Sequence, residues 1–119
     1  RTRVVLVVDD GADVRSALFA TLEEGGYHVR QASTGAEAVD LVLASPPDLI
    51  LLDMMMPNGS GWEVIARLRE IGSTVDVPVV VVSAYASSVP TGAVALLRKP
   101  VDRKDLLDAT ATYARAASA

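Results

Sequence analysis

Residues 4–10, VVLVVDD, set five aliphatic side chains in a row and then two carboxylates, Asp9 and Asp10. An unbroken apolar run this short suits a strand covered on both faces, as strands are in parallel α/β sheets. Working outward, the same pattern recurs. LILLD at 49–53 ends on Asp53, VVVVS at 79–83 ends on Ser83, and AVALLRKP at 93–100 leads into Lys99 and Pro100. The carboxyl ends of parallel strands lie along one edge of the sheet, so residues far apart in sequence converge there. Three acidic groups, a hydroxyl and a lysine gathered in this way form a metal and phosphoryl site.

Five strands are predicted, at 4–8, 27–32, 49–52, 79–82 and 93–97. The second, YHVRQA, alternates in polarity and belongs at an edge. Helical patterns separate most of them. Val14, Ala17, Leu18 and Leu22 form one apolar stripe, which Gly25 and Gly26 stop with a left-handed turn. Thr34 with Glu37, and Ser60 with Glu63, have the Ser/Thr-x-x-Glu spacing that satisfies free amides at a helix start. The helix after Thr34 turns Val39, Val42 and Leu43 inward, and the next turns Val64, Ile65, Leu68 and Ile71 inward before Gly72. Asp102 caps a last helix in which Leu106, Leu107 and Ala114 face the core, before a small-residue tail at 116–119 that frays.

At 119 residues, 50% hydrophobic and 22% charged, the chain suits one domain with its own core. No cysteine is present, which excludes disulfides and thiolate metal sites and fits a reducing, cytoplasmic compartment. The apolar runs stop far short of the roughly 20 residues of a membrane span, and no signal peptide opens the chain. A net charge of −4 with scattered Arg and Lys gives no footprint for nucleic acid.

Right-handed crossovers wind this series into a doubly wound sheet whose first and third strands meet where the winding reverses. Asp9, Asp10 and Asp53 share that crevice, and their mutual repulsion calls for a cation. Mg²⁺ fits an all-oxygen set, whereas zinc would want Cys or His and the single histidine, His28, is remote. A carboxylate can be the nucleophile that forms an acyl phosphate, provided positive charge stabilises the transferring oxygens. Lys99 and Mg²⁺ supply that charge. Ser83 adds a donor, and Ala84 leaves room for the phosphate.

In their order and placement, VVDD, LLDMMMP, the Ser83 and Ala84 pair and RKPV resemble the blocks of the receiver domain of two-component response regulators, and the likeness spans essentially residues 1–119. It implies a flavodoxin-like five-stranded parallel sheet of order 2-1-3-4-5. It further implies that Asp53 is the phosphoacceptor, and that Asp10 and Asp53 bind Mg²⁺ directly with the carbonyl of Met55. Asp9 would bind through water, Ser83 and Lys99 would hold the phosphoryl group, and the bond between Lys99 and Pro100 would be cis. A histidine kinase or phosphotransfer protein would be the donor. The implied chemistry is that of a switch rather than an enzyme, limited to Mg²⁺-dependent self-phosphorylation and slow self-hydrolysis. An output protein or domain would read the state, and the chain, opening at Arg1 without methionine, suits a piece of a larger regulator.

Two departures from the family are visible. Leu96 stands where receivers usually carry the aromatic switch residue, three positions before the lysine. Only nine residues, AYASSVPTG at 84–92, separate Ser83 from the fifth strand. A crossover normally takes at least about 10–12 residues with its helix, and Pro90, Gly92 and the lack of an apolar stripe oppose one here. The fourth crossover helix is therefore expected to be absent or cut to about one turn. The family dimer through that face is then not expected, and an unusual partner or signal path is.

Competing readings are weaker. Gly59, Ser60 and Gly61 lack the third glycine of a dinucleotide loop, and no Gly-Lys-Ser/Thr ends a P-loop. The Asp-x-Asp of haloacid-dehalogenase-type phosphatases is missing because position 11 is glycine. Met54, Met55 and Met56 read as gap fillers, His28 as a surface residue, and Trp62 and Tyr85 as flanking aromatics. The alternative function is a phosphate-independent interaction module, a pseudo-receiver.

Overall fold

The computed structural model describes residues 2–56, 61–72, 74 and 76–115. Its elements run β1 (Val4–Val8), α1 (Ala12–Glu24), β2 (His28–Ala32), α2 (Gly35–Ala44), β3 (Leu49–Asp53), α3 (Gly61–Glu70), β4 (Val79–Ser83), β5 (Ala95–Arg98) and α4 (Arg103–Tyr113). All strands pair in parallel in the order β2-β1-β3-β4-β5. This is the doubly wound arrangement that the sequence implies.

The uninterrupted apolar strands β1, β3 and β4 are buried on both sides because successive side chains feed opposite cores, whereas β5, beside the helix-free crossover, is only half-buried. Leu6, Val8, Ile50, Leu52, Val79 and Val81 face α2 and α3, where Val39, Val42, Val64, Ile65 and Leu68 meet them. Val5, Val7, Leu49, Leu51 and Val80 face Leu18 and Leu22 of α1 and Leu106 of α4. β2 is the polar-alternating edge, with Val29 and Ala32 buried and His28 exposed.

Helix ends follow local chemistry. Gly26 takes φ 92° after α1, a conformation that favours glycine. The Glu37 amide donates to Thr34 Oγ1 at 3.1 Å, while Glu37 Oε1 accepts from Ser33, one residue before the cap, at 2.7 Å. Asp102 Oδ1 accepts from the Lys104 amide and starts α4. Ser60 and the tail at 116–119 lie outside the described residues.

Some side-chain expectations need correction. Leu43 is 45% exposed. The buried stripe of α2 centres on Val42, and at 100° per residue Leu43 sits at its margin, while Leu41 on the other flank packs against the core. Ile71 lies past the end of α3 and is only half-buried. Ala114 is buried but follows α4, and half-buried Leu107 packs beside Gly25 at the end of α1. Of the three methionines, Met54 and Met56 are buried, whereas Met55 is exposed.

The crossover between β4 and β5 holds no helix. It is held down by other means. Arg69 of α3 donates to the carbonyls of Val77 at 3.1 Å and Gly92 at 2.6 Å. Gly92 has φ 92°, and a Cβ there would stand 2.6 Å from Ile65 Cγ2. Ala93 still bonds to Pro90 within this turn, so β5 starts at Ala95, later than the apolar run suggests. Leu96 is half-buried and packs on the core beneath α2 and α3.

Candidate functional site

Strand register assembles the site. Val8 pairs with Leu52, which sets Asp9 beside Asp53; Asp53 pairs with Val82, one step before Ser83. The Lys99 amide donates to the Ser83 carbonyl at 3.1 Å, immediately after β5. Four neighbouring strands thus deliver Asp9, Asp53, Ser83 and Lys99 to one edge, and the Lys99–Pro100 peptide bond is cis.

Asp9 and Asp53 are buried, Asp10 is exposed, and carboxylate oxygens from all three lie within 4.8 Å of one another. Lys99 Nζ bridges the pair, 3.0 Å from Asp9 Oδ2 and 3.5 Å from Asp53 Oδ2. The remaining oxygens meet backbone amides: Gly11 donates to Asp9 Oδ1 at 2.8 Å, and Met55 donates to Asp53 Oδ1 at 3.1 Å. Arg15 adds a bond to the Asp9 carbonyl at 2.7 Å. Neither Gly11 nor Arg15 stood out in the sequence, although the Asp-x-Gly spacing was the available sign of this turn.

Burial raises the pKa of Asp53, and the neighbouring Asp9 charge adds to the effect; the Met55 amide and Lys99 act against both. Burial would by itself depress Lys99. The hydrogen bond to Asp9, with the charges of Asp53 and Asp9, instead holds its pKa above the usual lysine value. Two carboxylates with one ammonium leave uncompensated negative charge beside exposed Asp10. An all-oxygen pocket of this charge fits a hard divalent cation.

Ser83 is buried, and its Oγ accepts from the amides of Tyr85 at 3.1 Å and Ala86 at 3.2 Å. Its hydroxyl hydrogen is still available to a ligand. Every site residue expected from the sequence is therefore at this edge. For Met55 the engaged group is the amide.

Two buried carboxylates and an exposed one with a lysine and a serine, at the carboxyl edge of a doubly wound sheet, fit the class of phosphoryl-accepting signalling domains. The family model described as the response regulator receiver domain matches residues 5–111. The response regulator MprA of Mycolicibacterium vanbaalenii is 39% identical over 109 residues, which covers 87% of this chain and 46% of that protein. The chain thus spans about half the length of the curated relatives it matches. The chemotaxis response regulator CheY4 of Vibrio cholerae superposes with a TM-score of 0.88 at 27% identity, covering 95% of this chain and 99% of that one. A CheY-like receiver domain protein of Methanospirillum hungatei gives a TM-score of 0.83 at 29% identity, covering 93% of each chain. The chain belongs to the response regulator receiver domain family. No helix among the described residues is long and apolar enough to cross a membrane.

Proposed function

We propose that residues 1–119 act as one cytoplasmic phosphoacceptor domain in which Asp53 takes a phosphoryl group from a histidine kinase or a phosphotransfer protein. The observation that carries this reading is the bridge of Lys99 between Asp9 and Asp53, with Ser83 on the adjoining strand end. Asp53 is the nucleophile. Lys99 and the Ser83 hydroxyl bind the phosphoryl oxygens, and Ser83 can donate to them while its oxygen keeps the Tyr85 and Ala86 amides. Asp9, Asp10, Asp53 and the Met55 carbonyl would hold Mg²⁺, which supplies positive charge to the transferring group.

The same residues would accept phosphate from a small acyl phosphate, and slow hydrolysis would reset the switch. The pseudo-receiver alternative gains no support from a site whose acidic, hydroxyl and lysine groups are all together. Incubation with acetyl phosphate and Mg²⁺, followed by intact mass, tests the proposal. One phosphoryl adduct is expected, absent in Asp53→Asn. Mg²⁺ binding, followed by the fluorescence of Trp62, without any adduct would favour the interaction module.

A further inference from the structure

The helix-free crossover leaves a groove of about 490 Å³ beside the phosphoryl site. Its walls include Met54, Met55, Trp62, Tyr85 and Val89, and none of the described residues that line it is charged. Trp62 is 54% exposed and Tyr85 83%, so both rings are accessible. Ser83 and Met55 belong both to this groove and to the proposed phosphoryl site, so the groove adjoins that site. Ser87, Ser88 and Thr91 give its rim hydroxyls.

In-line transfer to Asp53 puts the leaving group on the side of phosphorus away from the carboxylate. The organic part of a small donor must therefore lie on the side of the site away from Asp53, next to the groove that shares Ser83 and Met55 with it. A wall of two aromatic rings and two thioethers favours a flat apolar group, through ring contacts and sulfur–aromatic contacts. With no charged group among the described residues of the groove, nothing there pairs with the further phosphates of a nucleotide beyond the one held at Lys99.

We infer that the groove formed by Met55, Trp62 and Tyr85 beside Asp53 binds the aromatic group of an aryl acyl phosphate, making such mixed anhydrides preferred small-molecule phosphodonors. The inference rests on Asp53 being the phosphoacceptor. An oxygen of Asp53 forms the new bond to phosphorus, and the phosphorus–oxygen bond to the acyl group breaks. Its electron pair leaves with the carboxylate, so neither a proton nor a further reactant is needed.

The probes are benzoyl phosphate and acetyl phosphate, with phosphorylation of the intact chain followed by mass in the presence of Mg²⁺. The readout is the ratio of kcat/KM for the two donors on one protein sample, so the fraction of active protein cancels. Trp62→Ala is expected to lower the benzoyl-to-acetyl ratio about tenfold, the low end of what a few buried carbons contribute to discrimination. Trp62→Phe, which keeps a ring, is expected to retain most of the preference. Comparing variants removes the difference in intrinsic reactivity of the two anhydrides. An equal ratio in wild type and Trp62→Ala would assign the groove to a protein contact and overturn the inference alone. If neither donor modifies Asp53, the phosphoacceptor reading fails and this inference falls with it.

Discussion

Replacing Gly92 by alanine probes how the helix-free crossover is held, and Gly26 is its built-in control. Both glycines have φ 92°. An L-residue in left-handed backbone costs about 1–2 kcal/mol, so each Gly→Ala change carries that term. Both also reduce the entropy of the unfolded chain similarly, and this gain cancels between them. The surroundings differ. A Cβ at Gly26 meets nothing within 4 Å, whereas at Gly92 it stands 2.6 Å from Ile65 Cγ2, in the packed contact between crossover and α3. Overpacking of that kind costs about 1–3 kcal/mol. Gly92→Ala should therefore be less stable than Gly26→Ala by about 1–3 kcal/mol, read from urea midpoints at unchanged m. For a chain of 119 residues that is a Tm difference of at least a few degrees. Equal losses in the two variants would refute the packing of this crossover against Ile65.

Other changes test separate contacts. Arg69→Ala removes the donor to the Val77 and Gly92 carbonyls and should destabilise the fold by about 2 kcal/mol. Its signature is faster amide hydrogen exchange at Val94 and across β5 than across β1. Thr34→Ala deletes the hydroxyl that caps α2 and should cost about 1 kcal/mol in urea unfolding, with Thr34→Ser recovering most of it. Lys99→Ala takes away the ammonium shared by Asp9 and Asp53. It should abolish phosphorylation by acetyl phosphate yet leave Mg²⁺ affinity equal or tighter, because a competing cation is gone; weaker Mg²⁺ binding by Trp62 fluorescence would contradict this.

How legible the molecule was depended on how local the signal is. Four nearly uninterrupted apolar runs specified strands because burial on both faces removes polar alternation, β2 was read from its alternation at an edge, and parallel pairing then carried Asp9, Asp53, Ser83 and Lys99 to one edge. The short crossover was readable for a simpler reason, since nine residues containing Pro90 and Gly92 cannot form a normal connecting helix. Side-chain direction at helix margins was not. Leu43 matches the apolar period but sits beside the stripe, and the rotation of α2 follows its packing with α3, β2 and β1. Arg15 and Arg69 escaped notice because each acts on a backbone carbonyl, and a carbonyl leaves no mark in a sequence.

The same crossover bears on how a change at Asp53 could leave the site without an aromatic residue at position 96. Leu96 is packed on the α2 and α3 core and has no ring to rotate. Ser83 offers another route. Its Oγ holds the amides of Tyr85 and Ala86, the first turn of the crossover, while Arg69 fixes the far end at the Gly92 carbonyl. A displacement of Ser83 toward a phosphoryl group must either stretch those 3.1 and 3.2 Å bonds or pull the turn with it. With no helix to resist, the second costs less, because only loop backbone has to adjust between two anchored ends. A ligand shifts only an equilibrium whose states it binds unequally, and under the proposed role of Ser83 its hydroxyl is the point at which phosphate would meet the crossover. The exposed Tyr85 lies on that turn and shares a groove with exposed Trp62 of α3, so a shift of the turn would alter the surface offered to a partner.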